Sequence, residues 1–182
     1  MEMRTLLLAS TLLLSTSAVA GDISPVGCFG NLWKGKNPEM VRLHVEKTSG
    51  EQKKFWTWAF TLDVRLPGNK VLRAVGNCDD PRHYTSRHDP LSARCYVSPA
   101  KKLGESADNG VFYFTPHGAS SKIEISELQM KPWTAGGRGK SDPVFGRAEK
   151  VSLGKLDDFK TFKLEEMDDW VCGPLRPGER RL

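Results

Sequence analysis

Residues 55–66 constrain the fold most strongly, because apolar and polar side chains alternate along nearly the whole stretch. The even-numbered positions are all apolar, and they are Trp56, Trp58, Phe60, Leu62, Val64 and Leu66. A period of two held this long is typical of an extended strand with one buried and one solvated face. The three aromatic residues are expected to fill an interior rather than to line a ligand cavity. The sequence therefore predicts a β-domain organised around this strand.

Shorter strand patterns occupy much of the remaining chain, at residues 41–45, 71–78, 92–97, 111–115, 123–130, 144–153 and 159–164. Pro67, Gly68 and Asn69 form a strong turn signal, so residues 71–78 are predicted to return antiparallel to the long strand. Residues 29–38 contain glycines and lysines and are expected to form a loop. These patterns predict an all-β fold, an antiparallel sandwich or small barrel of about seven to eight strands that is stabilised by disulfides.

The first twenty residues have the three regions of an export signal. Arg4 precedes an apolar run over residues 6–14, and small residues follow at positions 18 and 20. The run is too short to span a bilayer, and no later segment approaches the ~20 apolar residues that spanning needs. We therefore expect cleavage after Ala20, a single β-rich domain over residues 21–173, a disordered tail over residues 174–182, and a periplasmic or secreted location.

Four cysteines follow the predicted signal, namely Cys28, Cys78, Cys95 and Cys172. An even number of cysteines in an exported chain indicates two disulfides, for which three pairings are possible. A bond between Cys78 and Cys95 would staple the neck of the loop between them, and the other two cysteines would then tie the ends of the domain together. A zinc site is disfavoured because CxxC and CxxH spacings are lacking.

Residues 79–91 form the richest polar cluster of the sequence. Its candidate metal ligands or acid–base groups are Asp79, His83, His88 and Asp89. A metal-dependent hydrolase centred on this loop is therefore the alternative from the enzyme class. The two histidines lie five positions apart in a loop, which fits no common ligand frame, and the chain lacks a GxSxG nucleophile motif. We therefore predict no metal, no cofactor and no catalytic residue.

Positive charge and loop aromatics indicate binding instead. The chain carries a net charge of +5, and basic surfaces attract anionic partners. Predicted loops contain the candidate binding residues, which are Trp33, Lys34, Lys36, Trp133, Arg138 and Lys140. We expect a non-enzymatic binding domain that recognises an anionic envelope component or a protein partner through its loops, and not nucleic acid. A further hypothesis is an inhibitor of an envelope-attacking enzyme, contacted through the acidic segment 165–169.

Several short segments resemble a group of uncharacterised exported proteins from Gram-negative organisms of alphaproteobacterial type. They are VGCF at 26–29, LDVRL at 62–66, GNC at 76–78, ARC at 93–95 and DDFKTFKL at 157–164 with Cys172 after it. The resemblance implies a periplasmic, disulfide-containing β-domain and carries over no catalytic residue. The chain departs from this group at Ser98, because those proteins tend to have a further cysteine shortly after the position of Cys95.

Overall fold

The computed structural model describes residues 25–79, 92–98, 109–116, 121–134, 144–145, 147–155 and 157–172. Its strands are β1 (Gly27–Leu32), β2 (Met40–Lys47), β3 (Trp58–Leu66), β4 (Lys70–Cys78), β5 (Ala93–Val97), β6 (Gly110–Thr115), β7 (Ser121–Thr134), β8 (Val144–Phe145), β9 (Glu149–Ser152) and β10 (Lys160–Met167). A 3-10 helix covers Gly50–Lys54, and a short helix, α1, covers Asp169–Cys172. The predicted signal peptide and tail lie outside the described residues.

Eight of the described strands close into a ring. Strands β1 to β7 pair antiparallel in chain order, and β10 pairs with both β7 and β1. A meander closed in this way is an up-and-down barrel. The all-β prediction is therefore confirmed, and of the two predicted architectures the structure has the barrel. No helix in the part of the chain that the structure describes is long and apolar enough to cross a membrane.

Strands β9 and β10 lie end to end along one edge of β7. Strand β9 pairs with Glu127–Met130 and β10 pairs with residues 121–125 of the same strand. The residues between them loop out at Ser126, whose carbonyl accepts hydrogen bonds from the backbone N–H of Leu153 (2.9 Å) and Gly154 (3.1 Å). The strand predicted at 144–153 is divided into β8 and β9, and the one predicted at 159–164 corresponds to β10.

One face of each ring strand fills the barrel. Phe60 of β3 packs edge-on against Phe112 of β6, with ring centroids 4.8 Å apart. Leu62 and Val64 continue this buried face, so the predicted alternation is confirmed for these positions. Trp56 is buried as predicted, but it lies outside the strand: it precedes β3 and packs on Tyr96 in a second, smaller cluster. The reason is local: the backbone N–H of Trp56 bonds to Gln52 in the 3-10 helix, so the strand begins only at Trp58.

Strand β1 is the element that the sequence pattern misses. Its whole sequence is GCFGNL, in which Phe29 is the large apolar residue that enters the core. Two glycines and an asparagine hide the alternation, because they do not make one face of the strand apolar and the other polar. The predicted loop at 29–38 therefore begins only after Leu32.

The two disulfides have one of the three possible pairings. One bond closes the neck of the loop between Cys78 and Cys95, and the other ties the two ends of the domain together. Cys78 is bonded to Cys95 across neighbouring positions of β4 and β5. Cys28 of β1 is bonded to Cys172 at the end of α1. This second bond holds α1 against the outer face of β1 and β2, where Val171 is buried.

Candidate functional site

The predicted binding residues that the structure describes lie at one end of the barrel. Trp33, Lys34 and Lys36 follow β1, and Trp133 lies near the end of β7, which runs in the same direction as β1. Lys34 and Lys36 are exposed, whereas Trp33 is half-buried, with its ring 5.7 Å from that of Phe162. Much of the Trp33 side chain therefore packs against the core at this end of the barrel. Arg138, Lys140 and the side chain of Trp133 lie outside the described residues.

The polar loop begins at the opposite end of the barrel. Asp79 is buried at its start, where its Oδ1 accepts a hydrogen bond from the backbone N–H of Arg94 at 2.8 Å. This contact joins the two strands that flank the loop, which gives Asp79 a structural task. His83, His88 and Asp89 lie outside the described residues. Among the residues that the structure does describe, no group of three His, Cys, Asp or Glu side chains is arranged to hold a metal ion.

A cleft of about 420 Å³ opens in the barrel wall near the first of these ends. It exists because β5 and β6 are short. Strand β4 pairs with β5 through residues 76–78 but pairs directly with β7 through Leu72 and Arg73. Ala74 and Val75 lie between these two pairings, where β4 faces the end of β5 at Ser98. The cleft lies between β4 and β7, beside the end of β5 and the start of β6.

Hydrogen bonds fix the hairpin side of the cleft. The backbone N–H of Ser98 donates to the carbonyl of Val75 at 2.8 Å, and that of Gln129 donates to the carbonyl of Asn109 at 2.8 Å. The Asn109 side-chain amide also donates to the Ser98 carbonyl. Paired backbone groups keep this edge in place, so the cleft is a formed feature of the wall.

Four charged residues form a row across the outer face beside the cleft. Arg42 of β2 is the register partner of Asp63 of β3, Asp63 is the partner of Arg73 of β4, and Arg73 is the partner of Lys131 of β7. Directly paired residues of antiparallel strands project from the same face. We call Arg42, Asp63, Arg73 and Lys131 the charged row.

Asp63 links both arginines of the charged row. Its Oδ2 accepts a hydrogen bond from Arg42 Nη2 at 2.5 Å, and its two oxygens accept from Arg73 Nε at 2.6 Å and Nη2 at 2.8 Å. Asp63 is 2% exposed and Arg42 is 4% exposed. Arg42 also donates through Nη1 to the carbonyl of Val171 in α1 at 2.6 Å. The bidentate contact fixes the plane of the Arg73 guanidinium.

The cleft has a cationic side. Arg73 and Lys131 both line it, and they are the charged residues among its described lining. Arg73 and Lys131 occupy directly opposed strand positions, so their positive charges lie on the same side of the cleft. A negative charge placed in the cleft would be attracted by both groups. The arrangement is therefore suited to holding an anion.

Sequence reasoning missed both cationic residues of the cleft because it searched the loops. Part of the signal was present: Asp63 and Arg73 lie at equal distances along the chain from Gly68, the centre of the predicted turn. That symmetry alone places them opposite each other in a hairpin. Lys131 is brought to Arg73 by a long-range strand pairing that leaves no local trace in the sequence.

The acidic segment named in the inhibitor hypothesis lies away from the cleft. Glu165, Glu166, Asp168 and Asp169 are exposed at the end of β10 and the start of α1. Their exposure leaves them accessible to a basic partner, and the inhibitor hypothesis stays a prediction.

No protein-family model matches the chain, and no curated protein or solved structure is significantly similar to it. The resemblance to exported proteins of Gram-negative organisms therefore stays an expectation.

Proposed function

We propose that this protein is an exported, non-enzymatic binding domain that holds an anionic ligand in the cleft between β4 and β7. The observation that carries the proposal is the placement of Arg73 directly opposite Lys131 at the cleft. Asp63 orients the arginine in advance, so little side-chain freedom is lost when a ligand binds. Small-ligand sites commonly combine mainly apolar walls with a few oriented polar groups, and this cleft has that composition.

The lining favours binding over catalysis. General acid–base chemistry near neutral pH most often uses histidine or a carboxylate, and the described lining of the cleft offers Arg73, Lys131, a serine and two side-chain amides. These groups attract and orient an anion. The expected export signal and the two disulfides support an oxidising compartment, where the ligand would be an anionic component of the cell envelope or its surroundings.

The test compares the oxidised protein with two lysine variants. Lys131→Gln removes a charge at the cleft, and Lys163→Gln removes the same charge from an exposed position on β10. Inorganic phosphate and acetate serve as probes, and calorimetric titration at low salt measures their dissociation constants.

We expect Lys131→Gln to weaken anion binding by about threefold to tenfold, whereas Lys163→Gln leaves it within twofold of the unmodified protein. Added sodium chloride should weaken binding in the unmodified protein, because exposed charges are screened. Equal losses in both variants would reduce the effect to general surface charge and would overturn the proposal, as would anions that bind no better than uncharged solutes.

A further inference from the structure

The cleft has two chemically different sides. Arg73 and Lys131 lie at the direct pairing of β4 with β7, whereas Val75 and Val97 lie on the side of the cleft where β5 ends. The lining as a whole is mainly apolar, and Ala74 and Ala148 add to it. A simple inorganic anion would contact the cationic side only and leave the apolar side in water.

The apolar side of the cleft is accessible to solvent at Val75. It is 45% exposed, although it lies on a ring strand between two regular pairings. Its neighbours at the cleft, Ala74 and Val97, belong to the buried core, so the apolar side of the cleft continues from the surface toward the barrel interior. Covering this surface with an apolar group would remove it from water, which favours binding in proportion to the area covered.

From this polarity we infer that the cleft binds an amphiphilic anion, a molecule with one carboxylate or phosphate head and a short apolar body. The head would lie between Arg73 and Lys131, and the body would lie against Val75 and Val97. The inference rests on the proposed function and adds the class of ligand. A cleft of about 420 Å³ lies in the lower half of the usual range for small-ligand sites. The body is therefore a short chain or a single ring and not the two chains of an intact phospholipid.

A homologous series of ligands tests the inference. Calorimetric titration of the oxidised protein with acetate, butanoate, hexanoate and octanoate measures how affinity depends on the apolar body. The matching alcohols lack the charged head, and vesicles of phosphatidylglycerol present an anionic head that is held in a membrane. Each added methylene should raise affinity by about fourfold until the body fills the cleft, and the alcohols should bind more weakly than the acids at every length.

Two variants separate the head from the body. Val75→Thr should flatten the dependence on chain length and leave acetate binding unchanged, whereas Val71→Thr, on the same face of β4 but outside the cleft lining, should change neither. Lys131→Gln should weaken every acid by a similar factor.

The outcomes distinguish this inference from the proposal on which it rests. Binding of acetate with no gain along the series overturns the amphiphile and leaves the anion site standing. Binding to vesicles without binding to any short acid also overturns the small amphiphile. If alcohols bind as tightly as acids, or if no acid binds, both the inference and the proposed function fail.

Discussion

At the scale of single residues, Asp63 holds the charged row together. Its one carboxylate accepts hydrogen bonds from Arg42 and from Arg73, and it is almost fully buried. Two guanidinium groups close to each other are tolerable only while that negative charge stands between them. Asp63 is therefore a positioning residue for the cleft, since it fixes Arg73 without lining the cleft itself.

Replacing the carboxylate by its neutral isostere tests this role. Asp63→Asn keeps the shape but removes the buried negative charge that Arg42 and the partly buried Arg73 share, so we expect a loss of about 3–5 kcal/mol in the free energy of unfolding. Urea denaturation measures this loss. Asp158→Asn, at an exposed position between β9 and β10, is the matched control and should change stability by less than about 0.5 kcal/mol. Similar stabilities for both variants would contradict the role assigned to Asp63.

Gly76 is a second residue whose identity is dictated by its neighbours. A Cβ atom at this position would lie 2.0 Å from the backbone carbonyl oxygen of Tyr96 and 2.8 Å from the ring of Phe60. The carbonyl belongs to the strand paired with β4, and the ring belongs to the core. Neither can move without opening the wall or the interior.

We therefore expect Gly76→Ala to lower the free energy of unfolding by about 3 kcal/mol or more, the upper end of what overpacking usually costs. Thermal and urea unfolding measure it. Gly30→Ala is the comparison, because its closest contact is the flexible side chain of Met167 at 2.8 Å, which can turn away. A loss at Gly76 no larger than the loss at Gly30 would contradict this account.

At the scale of elements, α1 depends on its disulfide. A helix of four residues has no stability of its own. The bond from Cys172 to Cys28, the buried side chain of Val171 and the hydrogen bond from Arg42 to the Val171 carbonyl hold it in place. Release of α1 would remove one acceptor from a buried arginine of the charged row.

The two disulfides should contribute unequally. In the loop-closure model the Cys28–Cys172 bond, with a sequence separation of 144, contributes about 5 kcal/mol, and the Cys78–Cys95 bond, with a separation of 17, contributes about 3 kcal/mol. Paired replacements by alanine, one disulfide at a time, should show this order in urea unfolding. A larger loss for the Cys78–Cys95 pair would show that local strand pairing outweighs chain entropy here.

The elements also show which parts of the fold can be predicted from sequence. The hairpin of β3 and β4 could be predicted, because its turn residues and its alternating strands are neighbours in the chain. The pairing of β4 with β7 could not, because it depends on β5 and β6 stopping short, and strand ends leave a weak pattern. The cleft arises at that pairing, so the sequence predicted the strands around the cleft but not the cleft itself.

At the scale of the whole molecule, part of the net positive charge lies at the cleft, on Arg73 and Lys131. The candidate binding residues drawn from the sequence lie elsewhere. Loop lysines such as Lys34 and Lys36 were predictable as exposed cations and are exposed. Strand residues such as Lys131 become part of a site only through the register of the closed sheet. Net charge therefore indicated an anionic partner without indicating where that partner would bind.

The predicted export concerns the whole chain and has a direct test. The protein purified from its native compartment should lack residues 1–20, because the predicted signal is removed after Ala20. Its mass should rise by that of four hydrogens on reduction, two for each disulfide. Intact-mass spectrometry before and after reduction measures both. A chain that retains its first twenty residues, or that has free thiols, would contradict export.

The bond between Cys28 and Cys172 makes most of the chain a closed covalent loop as well as a ring of paired strands. A single peptide-bond cut anywhere between these cysteines would open that loop without separating the molecule into pieces. A protease that nicks the β3–β4 turn should therefore leave one species, which divides in two only after a thiol is added and the strands are unfolded. After a first cut between these cysteines the molecule is still one covalent unit, and a second cut there is needed before any fragment is held by non-covalent contacts alone.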